Sequence, residues 1–131
     1  MEVFEGDYSH HCGKRAAALI ENIHCSAAFL FNDMMAYGFC QELLQNGIKI
    51  PDDFSVVGFD DAFFSEIFQS PLTTVRQPAY DIGCTAMEVA LEEIASFSKT
   101  KKMISFEPEL IIRKSTGHCK VKNSRANPSA L

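Results

Sequence analysis

The sequence predicts an α/β domain, with a parallel sheet layered between helices to give three layers. Three observations carry that prediction. The run "AAFLF" at 27–31 is continuously apolar, as in a parallel strand covered on both faces, and "FSVVGF" at 54–59 reads as a further strand. A stretch with helical spacing precedes each run. A third apolar stretch, "EVF" at 2–4, opens the chain, so strands and helices alternate as in a right-handed βαβαβ unit with parallel pairing.

Each element has its own local reason. Residues 2–4 read as a short buried strand, and "GDYSHH" as the turn after it. Ser9 is a candidate N-cap for a helix from about 10 to 22, whose Cys12, Ala16, Leu19, Ile20 and Ile23 share one face. Asn32 can cap a second helix starting near Asp33, and the carboxylate of Asp33 suits the positive end of that helix. Ala36, Phe39, Cys40, Leu43 and Leu44 form its buried stripe, and Gly47 can take the left-handed position that closes it. Pro51 with Asp52 and Asp53 turns the chain into the strand at 54–59. Residues 62–71 predict a short helical turn and loop, and "LTTV" at 72–75 an extended stretch. Pro78 suits the start of a helix over about 78–96, with Ile82, Met87, Leu91 and Ile94 on one side. "ELIIR" forms the core of a terminal extended segment, and 118–131 show no usable periodicity.

Composition excludes several classes. The 131 residues suffice for one domain, and 47% apolar with 22% charged residues is the balance of a globular chain. No run of eighteen apolar residues exists, and no basic-then-apolar leader opens the chain, so a cytoplasmic location is expected. Residues 1–98 hold fifteen acidic side chains against four basic ones, a body that repels a phosphate backbone. Residues 99–131 hold eight basic against two acidic, which reads either as a nucleic-acid contact or as a solvated edge and tail. The five scattered cysteines form no CxxC pair, which argues against a disulfide framework. Cys12, Cys40 and Cys84 read as small core residues. The adjacent His10 and His11 lack further ligands in sequence, so no metal site is expected.

The motifs of serine hydrolases, phosphate loops, zinc proteases and dinucleotide sites are all missing. The residues of interest are carboxylates at strand ends. Asp7, Asp33 and Asp60 each follow a predicted strand, at the carboxyl edge where open α/β sheets bind ligands. Such carboxylates can hold Mg²⁺, accept hydrogen bonds from a sugar or base, or cap helices and turns. Asp60, last in its strand, is the better pocket candidate. Asp61 reads as a turn or cap residue, and Asp33 is open between helix start and pocket. Tyr8 offers a flat apolar face and a hydroxyl for stacking, or is a partly exposed turn aromatic.

At "AFLFNDMMAYGFCQELLQNGIKIPDDFSVVGFDD", with "PLTTVRQPAYDIG", "PELIIRKSTG" and "FEGDYSHHCGKRAA", the chain resembles the LacI/GalR family of bacterial transcriptional repressors. The resemblance runs from about Phe4 to Gly117. It implies the C-terminal lobe of a periplasmic-binding-protein-like type I fold. Residues 1–117 are then a partial effector-binding domain, and 118–131 a disordered tail. Family members carry an N-terminal helix-turn-helix and a two-lobed core that binds a sugar or nucleobase in its cleft. The matched portion includes neither the helix-turn-helix nor most of the N-terminal lobe, and the helix at 78–96 normally packs on that lobe.

Carried over residue by residue, the resemblance implies effector contacts at Tyr8, Asn32 and Asp60. Asp7, Asp33, Asp61, Phe63 and Phe64 become cleft-edge or cleft-mouth positions, with Phe63 and Phe64 near the family's dimer surface. No catalysis, cofactor or metal is implied. The expected partners are a small-molecule effector of the sugar type and a second copy, with DNA reached only through the helix-turn-helix region. An isolated interaction or dimerisation fragment is the alternative. A soluble sugar-binding protein of the periplasmic type and a Mg²⁺ enzyme are the remaining classes.

Overall fold

The computed structural model describes residues 2–20, 23, 25–96 and 102–118. Ser9 caps α1 (His10–Leu19) by accepting the Cys12 amide. β1 (Ala27–Phe29) leads through Asn32 into α2 (Asp33–Gln45), where the Asn32 side chain accepts the Met35 amide at 2.7 Å. Gly47, at φ 77°, follows the C-cap of α2. β2 (Ser55–Phe59), a 3-10 turn at Phe63–Glu66, β3 (Thr73–Arg76), α3 (Ala79–Ser96) and β4 (Glu109–Ile111) complete the order.

The four strands form one sheet in the order β1-β2-β3-β4. β1 pairs with β2 and β2 with β3 in parallel, whereas β4 runs antiparallel to β3 with Val75 opposite Leu110. After β4 the chain re-enters the sheet. Buried Ser115 receives the Thr73 amide on its Oγ, donates that Oγ to the Val56 carbonyl, and receives the Val56 amide on its own carbonyl. This wedge ties the C-terminal segment between β2 and β3.

α1 and α2 cross closely because the crossing lacks side chains. A Cβ on Gly13 would lie 2.0 Å from the Met35 carbonyl oxygen, and one on Gly38 2.0 Å from that of His10. Below them, Phe39, Leu43, Phe54, Val56 and Leu72 fill the core, with the Phe39 and Phe54 rings 5.7 Å apart. Cys40 lies in this core, where burial pushes its thiol up to about 12.

Four expectations need correction. Residues 2–4 form no strand: Val3 and Phe4 are exposed, and β1 pairs only with β2. Two apolar side chains between Glu2 and Glu5 supply too little buried area to hold an edge pairing. The sheet is mixed rather than wholly parallel, because the last strand returns directly along β3. "AAFLF" is covered on one face only. Leu30 and the half-buried Ala28 turn toward the core, while Phe29 and Phe31 remain exposed and meet edge to face at 5.6 Å. Finally, Cys84 is exposed on α3 rather than in the core. The expected tail lies outside the described residues apart from His118.

Candidate functional site

Because β1, β2 and β3 run parallel, the residues just past them share one edge of the sheet. Asn32 follows β1, Asp60 follows β2 and Gln77 follows β3. Asp60 continues the ladder, donating its amide to the Val75 carbonyl at 2.9 Å. One carboxylate oxygen of Asp60 accepts Gln77 Nε2 at 2.9 Å, while the side chain stays at the surface. That leaves its Oδ2 and further lone pairs for a ligand.

The Tyr8 turn meets this edge through Asn32, which bonds the Tyr8 carbonyl. Its ring is exposed, and its backbone sits at φ 62°. Asp7 accepts both the amide and the hydroxyl of Ser9, at 3.0 and 2.6 Å, and these bonds hold its carboxyl below the ordinary 3.8. Asn32 Nδ2 donates to the Tyr8 carbonyl at 3.0 Å, so the amide that caps α2 also grips the Tyr8 turn.

Asp33 lies beneath this edge rather than on its rim, with 1% of its surface exposed. Its Oδ2 accepts Ser65 Oγ at 2.6 Å and the Ala62 amide at 2.8 Å, and its Oδ1 accepts Thr74 Oγ1 at 2.7 Å. A carboxylate so satisfied is bearable in a core where an unpaired one is not. Gly58 makes the room: a Cβ there would stand 2.2 Å from Asp33 Oδ1.

Asp61 turns into an ion cluster. Arg76 Nε donates to its Oδ2 at 2.7 Å, and Arg113 Nη1 approaches its Oδ1 at 2.7 Å as an ion pair without hydrogen-bond alignment. Arg76 also reaches Glu109, and Arg113 reaches Glu66. Burial raises the Asp61 carboxyl, but the adjacent Arg113 and Arg76 guanidiniums outweigh it and hold the group below 3.8.

Tyr8, Asp60 and Asp61 are the non-glycine residues with positive φ among the described residues, at 62°, 107° and 52°. Such backbone costs about 1–3 kcal/mol per residue and persists where its surroundings enforce it. Here Asn32 holds the Tyr8 carbonyl, Val75 and Gln77 hold Asp60, and Thr74 and the two arginines hold Asp61.

The two phenylalanines after the aspartates part company. Phe63 is 89% exposed. Phe64 stacks on Phe68 at 6.0 Å, and Phe68 meets Tyr37 of α2 at 4.8 Å. With Met34 and Ile67 these rings line an apolar groove of about 300 Å³. Among the described residues no group of three His, Cys, Asp or Glu side chains is placed to hold a metal.

Sequence reasoning missed Gln77 and the two arginines. Gln77 was within reach, since it follows a strand as Asp60 does. Arg113 was not, because 52 positions separate it from Asp61 and only the fold joins them.

Residues 3–116 match the family described as periplasmic binding protein-like domain. A repressor of Vibrio parahaemolyticus named HTH-type transcriptional repressor PurR is 46% identical over 88 residues, covering 67% of this chain and 26% of its own length. A LacI family transcriptional regulator of Enterococcus faecalis, solved with bound ribose, superposes with a TM-score of 0.86 at 32% identity, covering 91% of this chain and 45% of that one. The chain belongs to the LacI/GalR family of transcriptional regulators. A further LacI-type structure, the lac repressor dimer bound to operator and the anti-inducer ONPF, matches with a TM-score of 0.77 at 31% identity, over 86% of this chain and 40% of that one. This LacI/GalR chain thus spans about a quarter of the curated relative and under half of each solved one. It has the family's effector-domain architecture, in a family of regulators rather than enzymes.

Proposed function

We propose that this chain supplies one jaw of the effector site of a LacI-type regulator, with a sugar as the effector. Tyr8 is the stacking face, Asp60 accepts ligand hydroxyls, and Asn32 and Gln77 hold those two groups. The observation that carries the reading is the meeting of Asn32, Asp60 and Gln77 at one carboxyl edge, with Asp60 left a free oxygen. Sugars suit this edge. Their hydroxyls donate to a carboxylate in charge-assisted bonds worth about 1.5–3 kcal/mol each, and their C–H face packs on an aromatic ring. Ribose in the Enterococcus faecalis relative supports the choice of ligand class.

In the intact regulator, effector binding closes the cleft and shifts operator affinity through the differential contacts of the two states. Operator contact belongs to the helix-turn-helix region for which the HTH-type relatives are named. No helix among the described residues is long and apolar enough to cross a membrane, and we take the cytoplasm as the working compartment.

A single jaw supplies only part of the contacts, so binding to this chain is weak. Titration calorimetry with ribose, other pentoses, hexoses and nucleobases tests this. Weak sugar binding that Asp60→Asn abolishes is expected. Sugar binding indifferent to Asp60→Asn would remove the site, and preference for a nucleobase would change the ligand class.

The aromatic groove favours a second role, association with another copy or with an intact relative. Exposed Tyr37 and half-buried Phe64 and Phe68 ring a concave apolar patch, the composition of an interface core. Sedimentation of the chain should show a dimer that Phe68→Ala weakens. A monomer at all concentrations, and no mixed complex with a full-length relative, would sink this role.

A further inference from the structure

We infer that Asn32 and Asp33, neighbours at the start of α2, are a paired positioning element that sets the ring of Tyr8 and the carboxylate of Asp60 relative to one another. The inference rests on the reading of Tyr8 and Asp60 as the effector jaw.

The two turns that carry these groups come from distant parts of the chain. Both are held in positive-φ backbone, which does not persist without support. The Tyr8 turn is tied to the start of α2 directly and the Asp60 turn through the residues that follow it, Ala62 and Ser65, while Asp60 itself is held by the Val75 carbonyl and Gln77. Asn32 uses its two amide ends separately. Its Oδ1 caps α2 through the Met35 amide, and its Nδ2 holds the Tyr8 carbonyl. Asp33 uses its two oxygens separately too. Oδ2 holds the Ala62 amide and the Ser65 hydroxyl just after the aspartates, and Oδ1 is anchored on Thr74 of β3. Thr74 Oγ1 in turn lies 3.4 Å from the Asp61 amide, in line to accept it.

The geometry separates positioning from ligand contact. With its Oδ1 on Met35 and its Nδ2 on Tyr8, Asn32 has its main bonds inside the protein. Asp33 is buried, with three donors on its carboxylate. Neither residue needs to touch an effector to determine how well one fits. One rigid helix end carrying both braces fixes the spacing of the jaw more tightly than two independent loops can.

Two variants separate the braces, both in the full 131-residue chain. Asn32→Ser keeps an N-cap oxygen for Met35 and loses the donor to Tyr8. Thr74→Val keeps the strand residue's shape and loses the hydroxyl that anchors Asp33, and Thr74→Ser restores that hydroxyl. Backbone amide exchange and the Tyr8 ring resonances are read by NMR without ligand. Asn32→Ser should speed exchange at Ser9, the bonded amide of this turn, about fivefold, the factor for one lost hydrogen bond, and shift the Tyr8 ring signals. It should leave Asp60–Ala62 and the Met35 amide unchanged. Thr74→Val should speed exchange at Ala62, whose amide sits on Asp33, and leave Ser9 unchanged; the Asp61 amide, which Thr74 Oγ1 itself accepts, does not count in this test, and Thr74→Ser should match the parent.

Unchanged exchange at both turns would overturn the inference, and so would uniform acceleration that includes Met35. Ribose titration of the same proteins reads the site itself: each brace variant should weaken binding severalfold. If the parent chain binds none of the sugars or nucleobases tested while the exchange pattern appears, the braces stand and the jaw reading fails.

Discussion

α2 and α3 carry similar sequence signals and meet different fates. Each has an apolar stripe at helical spacing and an aspartate in its first turn. α2 buries seven of its 13 residues, while α3, at 18 residues, buries none. The difference lies outside the helices. α2 has the sheet on one side and α1 crossing it through Gly13 and Gly38, whereas the apolar side chains of α3, among them Met87, Leu91 and Ile94, stay exposed. An apolar stripe marks a helix that can be covered. Whether it is covered depends on a second layer that the stripe itself does not encode.

Substitutions in the two helices, with Asp61→Asn outside them as an intermediate reference, should sharpen this contrast. The largest effect belongs to Gly38→Ala. Its methyl would stand 2.0 Å from the His10 carbonyl oxygen, and helices in backbone contact have no flexible atom to yield. Circular dichroism should show loss of the native fold. Leu43→Ala follows, with about 2–5 kcal/mol lost in urea unfolding, as for other fully buried leucines. Asp61→Asn should cost about 1–3 kcal/mol at neutral pH, because it strips the charge that Arg76 and Arg113 share. Leu91→Ala on α3 should change stability by no more than about 0.5 kcal/mol, and a loss as large as that of Leu43→Ala would mean that α3 is covered in solution.

The Asp61 cluster also predicts a pH dependence. Its folded-state carboxyl lies below the ordinary value, so its contribution is complete above the ordinary carboxylate range. That contribution is lost as pH falls through the lowered folded value. Thermal midpoints should therefore drop on the acid side, and Asp61→Asn should flatten that limb.

Much of this architecture was legible in the residues. The apolar runs marked β1 and β2, and Asn32 and Gly47 bounded α2, because strand burial and helix capping are local matters. The placement of Asp60 at the carboxyl edge was legible for a related reason: parallel strands put the residues that follow them together. The roles beneath the surface were not. Asp33 meets Thr74 across 41 positions and Ser65 across 32, and no local pattern distinguishes a buried anchor from a helix-start carboxylate. The exposed face of β1 escaped for the same reason as the bare side of α3. "AAFLF" states that a strand can be covered twice, and Phe29 and Phe31 show that here it is covered once.

The central claim is that Tyr8 and Asp60 form one side of an effector site. Chemical-shift mapping of the isotopically labelled chain with ribose tests it most directly. The account predicts saturable shifts at Tyr8, Asp60 and Gln77, absent in Asp60→Asn. Saturable shifts centred elsewhere, or the same shifts persisting in Asp60→Asn, would contradict it.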